Sequence, residues 1–377
     1  MKSIMPKLIR WLCVIVSVVL IASTSGCGAL VTLDASRDVY SKGAGKPGQN
    51  DITEPENRDD WFLVEMSNRY GLMALFALTA YRYDMTPSDR DHHACDYLNP
   101  SFSGYRNFGM PKIVGSNADS DRWERWVPAE TKEGDVSPCF NEDGLFYETY
   151  VHRDAHNNIT KAVIAYRGTE NRTGQWATDW RTNLVNAFGF EPAEYAIART
   201  QVKKLTVRLH GEAHGVPIYA VGHSLGGGLA QQAGYLSKDI KEVYAFNTTP
   251  VTNWSHLRKL GLVEQGYPII HRVYNGGEGL AGIRAVATAS TSTRFGRHDV
   301  EVQFGPKSFV AGHLMGVIAC NFAKILSETN AQGAMHRYPT GYINQQVLKR
   351  ADEIRREDDL RVCDDEASDA TSSSAVK

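Results

Sequence analysis

Ile218-Tyr219-Ala220-Val221-Gly222-His223-Ser224-Leu225-Gly226-Gly227-Gly228-Leu229-Ala230-Gln231-Gln232 opens on an apolar run and continues into small, helix-favouring residues. The run Ile218 to Val221 suits a buried strand, and the residues after Ser224 suit a helix. Between them stands Gly222-x-Ser224-x-Gly226. A serine hydroxyl becomes a useful nucleophile when a sharp strand-to-helix turn exposes it beside a base. Glycines on either side permit that turn, because a larger side chain would collide with the neighbouring strand or helix. The helix start places backbone N–H groups, Leu225's above all, where a developing oxyanion would sit.

Working outward, the chain alternates strand and helix patterns. Leu145 to Arg153 and Lys161 to Tyr166 flank the turn His156-Asn157-Asn158 and read as a hairpin. A helix from Pro192 to about His210 leads into the serine strand; Glu242 to Asn247 and Pro268 to Tyr274 are the next strands. Upstream, Trp61, Phe62, Val64, Met66, Leu72, Leu75, Phe76 and Leu78 carry helical apolar spacing over residues 60–79. The alternation implies an α/β class with a mostly parallel sheet flanked by helices. Residues 84–140, with Pro87, Pro100, Pro111, Pro128 and Pro138, read as a loop-rich elaboration that either caps a substrate or simply packs Trp123 and Trp126.

A serine nucleophile needs a base, and the base needs an orienting carboxylate. In doubly wound hydrolases these follow the serine in the order acid, histidine, on loops at the strands' carboxyl ends. His256 falls on a helix and His271 inside a strand, so both read as structural. His313, in Ala311-Gly312-His313-Leu314 before an apolar helix, is the first candidate base, and His298 the alternative. For the acid, Asn275-Gly276-Gly277-Glu278-Gly279 ends a strand and puts Glu278 first, with Asp299 behind it. A second oxyanion donor is expected after Tyr166-Arg167-Gly168, at Thr169.

These stretches resemble a known family. Tyr166-Arg167-Gly168-Thr169, Asp179-Trp180-x-x-Asn183-Leu184 and Gly222-His223-Ser224-Leu225-Gly226-Gly227 are similar to the lipase class 3 family of α/β-hydrolases, over about residues 61–330. The resemblance implies an α/β-hydrolase fold. It casts Ser224 as nucleophile, His313 as base, Thr169 and Leu225 as oxyanion donors, and a lid over 174–186 with Trp176, Trp180 and Phe188 facing an interface. Glu278 departs from it, since the family usually places Asp there.

The ends of the chain carry other signals. Lys2, Lys7 and Arg10 precede the apolar run Trp11 to Ala22, and Ser23-Thr24-Ser25-Gly26 lead to Cys27. This is the pattern of a secretory signal over 1–26, too short to span a bilayer. It resembles a bacterial lipobox with Cys27 lipidated, and Gly28 favours the outer membrane over the inner. Residues 27–59 read as a polar tether and 351–377 as a charged, disordered tail, leaving 60–350 for the catalytic domain. Cys95, Cys139, Cys320 and Cys363 would then lie in an oxidising compartment; Cys95–Cys139 with Cys320–Cys363 closes the shortest loops.

Forty-one basic against forty-three acidic residues, a net charge of −2, give no reason to expect nucleic acid. No stretch has metal-ligand spacing, and the chemistry calls for no cofactor. The expected partners are a lipid ester substrate and the membrane surface that the anchor would reach. The expected activity is a serine esterase of lipids, triacylglycerol lipase or phospholipase A in type. The rival is an inactive hydrolase-fold lipoprotein of the envelope that binds lipid or serves structure.

Overall fold

The computed structural model describes residues 37–41, 55–82, 85, 87–101, 122–131, 134–168, 191–251, 253–262, 268–276, 278, 280, 297–304 and 311–322. For 37–41, 55–65, 68, 87, 122, 254–255, 297–298, 303 and 311 it describes the backbone alone. The expected signal at 1–26, Cys27, the expected lid at 174–186 and the expected tail at 351–377 lie outside these residues.

The strands are β1 (Arg37–Ser41), β2 (Arg122–Arg125), β3 (Cys139–Glu142), β4 (Leu145–Arg153), β5 (Ile159–Tyr166), β6 (Ile218–His223), β7 (Ile240–Phe246), β8 (Ile269–Asn275) and β9 (Arg297–Gln303). They form one sheet in the order β1-β9-β8-β7-β6-β5-β4-β2, with β3 also on β4. From β5 to β1 every pairing is parallel; β4 pairs antiparallel with β5, β2 and β3. The helices are α1 (Pro55–Thr79), α2 (Pro87–His93), α3 (Ala193–Glu212), α4 (Leu225–Leu236), α5 (Trp254–Lys259) and α6 (residues 315–322). A mostly parallel sheet flanked by helices, turning from β6 into α4 at the serine, is the α/β-hydrolase fold.

A parallel sheet must bury both faces, and successive side chains on a strand point to opposite sides. Strand β6 shows this directly. Ile218 and Ala220 join a core with Leu205, Leu209, Leu229 and Ala233 of α3 and α4. Tyr219 and Val221 join the other, with Met73, Phe76 and Ala77 of α1 and Ile318 and Phe322 of α6. Phe76 stacks on Tyr150 of β4, with 4.9 Å between ring centroids. Helix α1 therefore spans from the parallel strands to the antiparallel edge.

Where α1 ends, Arg82 takes a left-handed φ of 53° and its guanidinium turns into the protein. Its Nη1 donates to Glu148 Oε1 at 2.9 Å, while Arg125 Nε donates to Glu148 Oε2 at 3.0 Å. Tyr150 donates its hydroxyl to the same Oε2 at 2.7 Å. All three charged groups are buried, so each depends on the others to replace lost water. Burial, and then Glu148, push the Tyr150 phenol well above its usual range. A disulfide joins Cys95 to Cys139, as the loop-length argument expects, and fastens the segment after α2 to β3. Cys320 is disulfide-bonded too; its expected partner, Cys363, lies outside the described residues.

One expectation needs correction. The tether expected over 27–59 contains β1, registered on β9 from Arg37↔Asp299 to Ser41↔Gln303, and the start of α1 at Pro55. Five residues are too few to show alternation, and this edge strand takes its place from the open side of β9. In the 84–140 stretch the packing alternative holds for the tryptophans: β2 and β3 extend the sheet, and Trp123 and Trp126 are buried.

Candidate active site

Ser224 occupies the bend between β6 and α4 with φ 56° and ψ −124°, a conformation rare for any residue but glycine. Its backbone is tied down to hold it there. The Ser224 amide donates to the Phe246 carbonyl at 3.0 Å, and its carbonyl accepts from the amides of Gly227 and Thr249 at 3.0 and 3.1 Å. The glycines are required by contact. A Cβ on Gly222 would run into the Gly226 carbonyl, and one on Gly226 into the Tyr166 carbonyl. On Gly168 it would lie 2.6 Å from the His223 carbonyl oxygen and 3.1 Å from Ser224 Cβ, so the end of β5 passes directly beside the serine.

His313 ends a short 3-10 turn, Ala311–His313, and is buried. Its Nε2 lies 3.0 Å from Ser224 Oγ and its Nδ1 2.7 Å from Glu278 Oε2. A carboxylate accepts, so Nδ1 carries the proton and Nε2 presents its lone pair to the serine hydroxyl. Glu278 Oε2 also accepts the Leu280 amide at 2.9 Å, and the carboxylate is fully shielded from solvent. The serine, histidine and glutamate singled out from sequence thus meet in one hydrogen-bonded line.

The alternatives lie elsewhere. Asp299 is in β9, bound by both oxygens to Arg272 of β8: Nε–Oδ1 2.7 Å and Nη2–Oδ2 3.1 Å. An aspartate held that way serves the guanidinium, so it is not the acid partner of His313. His298 also falls within β9 rather than on a loop, opposite His271 of β8; its side chain lies outside the described residues. Leu225 is the first residue of α4, among the N–H groups a helix leaves without internal partners. Thr169 lies outside the described residues, although Gly168 before it is placed against the serine. Among the described residues, no cluster of His, Cys, Asp or Glu could hold a metal ion.

Sequence reading missed the frame around His313. Asn247, at the end of β7 with φ 38°, donates Nδ2 to the carbonyls of Gly312 and His313, both at 3.0 Å. Its Oδ1 accepts the Asn275 amide at 2.9 Å; Asn275 in turn takes the Phe304 amide on its Oδ1 at 2.7 Å. Two asparagines at neighbouring strand ends therefore clamp the histidine's loop to the sheet. Nothing in the spacing of asparagines announces this.

His223, inside the Gly-x-Ser-x-Gly stretch, is buried with its Nε2 2.7 Å from the His313 carbonyl. Burial, and then the neighbouring His313, hold this imidazole well below its ordinary pKa of 6.5. The sign follows: below 6.5 the unfolded chain binds a proton that the folded chain refuses. Stability from this group is complete above 6.5 and declines as pH falls, by at most about 1.4 kcal/mol per unit. Denaturant unfolding at about pH 7.5 and 5.5 should show a steeper acid loss in the wild type than in His223→Gln, and equal losses would contradict a buried neutral ring.

Solved structures with related outlines are distant. The chain is similar to a lipase from Rhizopus microsporus var. chinensis at 14% identity, covering 58% of this chain and 67% of that one, with a TM-score of 0.32. Against the extracellular lipase LipA of Serratia marcescens the identity is 14%, the TM-score 0.31, and the coverage 82% of this chain but only 52% of LipA. Acetyl xylan esterase 1 from a Thermoanaerobacterium species is similar at 13% identity over 59% of this chain and 92% of its own, TM-score 0.25. No curated protein sequence matches. Residues 117–253, which run from before β2 to beyond the serine helix, match the family model of the Tle-like phospholipase domain.

Proposed function

We propose that this protein is a serine hydrolase that cleaves carboxylic esters of lipids, with phospholipids as its substrate class. The observation that carries the reading is the line Glu278 Oε2–His313 Nδ1, His313 Nε2–Ser224 Oγ, at 2.7 and 3.0 Å, built on a strained strand-to-helix bend. His313 takes the Ser224 proton as Oγ attacks the ester carbonyl. The negative charge that develops on the carbonyl oxygen meets the N–H groups of Leu225 and Thr169. The tetrahedral intermediate collapses, His313 returns the proton to the departing alcohol, and an acyl group remains on Ser224. Water deprotonated by the same imidazole releases the fatty acid and restores the serine. Glu278 holds the imidazole's tautomer and stabilises its cation throughout.

The phospholipid preference draws on the Tle-like phospholipase match at 117–253. Kinship with lipase class 3 draws on the Tyr166–Gly168 and Gly222–Gly227 stretches. Lipidation at Cys27 would hold the enzyme on the bacterial outer membrane beside its substrate. The test is direct. Purified protein is offered p-nitrophenyl esters of short and long acids and phospholipid vesicles, with products resolved by mass spectrometry, and is also treated with a fluorophosphonate. Free fatty acid and lysophospholipid, with the phosphonate on Ser224, are the expected results; no acyl release and no adduct would defeat the proposal.

A further inference from the structure

The mechanism leaves His223 without a task, although its ring lies against that of His313 with centroids 4.9 Å apart. Its hydrogen bonds decide its state. Nε2 faces the His313 carbonyl oxygen at 2.7 Å, and a carbonyl can only accept, so Nε2 carries the proton. Nδ1 is then a bare lone pair, and the Tyr81 hydroxyl 2.6 Å away donates to it. The carbonyl therefore sets the histidine's tautomer, and the tyrosine anchors the ring by the nitrogen left over. Were the proton on Nδ1 instead, two lone pairs would confront each other at Nε2 and push residue 313 away.

We propose that Tyr81 and His223 are a positioning pair for the base. By holding the ring at Nδ1, Tyr81 aims the Nε2–H of His223, which with Asn247 holds the His313 carbonyl. The imidazole then stays within reach of Ser224 and Glu278 together. The proposal rests on reading Ser224, His313 and Glu278 as the catalytic line. Displacing a catalytic group by about 1 Å costs on the order of a hundredfold in rate, so a carbonyl clamp bears directly on turnover. A neutral ring matters as well, because a cation at His223 would oppose the imidazolium that His313 becomes. Tyr81 stands two residues past the end of α1, and the next residue, Arg82, is anchored on Glu148. The helix upstream of the sheet thus reaches the base through one phenol.

The experiment uses the full purified chain. Nitrogen NMR of the His223 ring at neutral pH should report a proton on Nε2 and an acceptor at Nδ1 in the wild type. Tyr81→Phe should leave the proton on Nε2 but remove the hydrogen bond at Nδ1, lower kcat by about tenfold, leave KM within about twofold, and keep Tm close to the wild type. His223→Gln tests the logic separately, since a glutamine amide nitrogen can stand where Nε2 does and leaves no ring nitrogen for Tyr81 to hold. It should lower kcat by no more than Tyr81→Phe does, and adding Tyr81→Phe to it should cost nothing further. An Nδ1 proton on wild-type His223, or an equal kcat loss from Tyr81→Phe in both backgrounds, would overturn the pair. A wild type that releases no acid and takes no fluorophosphonate would instead sink the hydrolase reading, and the pair's role with it.

Discussion

Ser224→Ala is expected to cut ester turnover by roughly 10⁴ to 10⁶ while leaving the fold almost as stable as before. The two halves of that expectation have separate causes. Turnover goes because the hydroxyl that His313 Nε2 meets at 3.0 Å is removed. Stability stays because the side chain contributes one hydrogen bond, 3.0 Å to His313, whereas the bend is held by backbone bonds to Phe246, Gly227 and Thr249. One such bond is worth about 1 kcal/mol net, a few degrees in Tm for a domain of this size. Ser224→Gly sharpens the contrast. Glycine accepts a φ of 56° without steric cost, so this variant should unfold no earlier than the alanine one and be equally inactive. Initial rates on a soluble ester and a thermal scan read both. A serine that mattered to the fold would show the reverse: a large fall in Tm with residual activity.

How far the site could be read in advance depends on how local its determinants are. The bend at Ser224 is legible because one of its constraints is local: a Cβ on Gly222 strikes Gly226, four positions on. Glu278 is legible through its address, just past the end of β8, where such sheets place functional loops. His313 is legible by its address, a loop opening an apolar helix, with His298 standing as the alternative until β9 claims it. The clamps are another matter. Asn247 and Asn275 act on Gly312 and His313 across gaps of sequence that no periodicity spans, and the Tyr81–His223 contact joins residues 142 apart. Those interactions exist only because the strands stand side by side, and strand order was not written in any one segment. Strand β1 escaped for the same reason, since an edge strand's register belongs to its neighbour.

Glu278→Gln and Asp299→Asn should separate cleanly, one losing rate and the other losing stability. Both carboxylates are buried, and both hold a partner at 2.7 Å, so burial and distance alone do not rank them. The partner does. Glu278 faces an imidazole that must become a cation for the serine to be deprotonated. A glutamine there can still accept from Nδ1–H, yet it brings no charge to stabilise that cation and leaves the tautomer loosely chosen. The kcat should fall by about 10² to 10⁴, with KM little changed. Asp299 faces Arg272, which is charged in every step and never reacts. An asparagine cannot meet the guanidinium with two acceptors and brings it no negative charge, at a cost of about 1.5–3 kcal/mol. The surviving folded protein should turn over at close to the wild-type rate, because neither β8 nor β9 presents that pair to Ser224. Measuring kcat and the unfolding free energy on the same two preparations decides the matter. If Asp299→Asn alone stops turnover in folded protein, Glu278 is not the acid and the hydrogen bond it makes to His313 serves only to hold the loop.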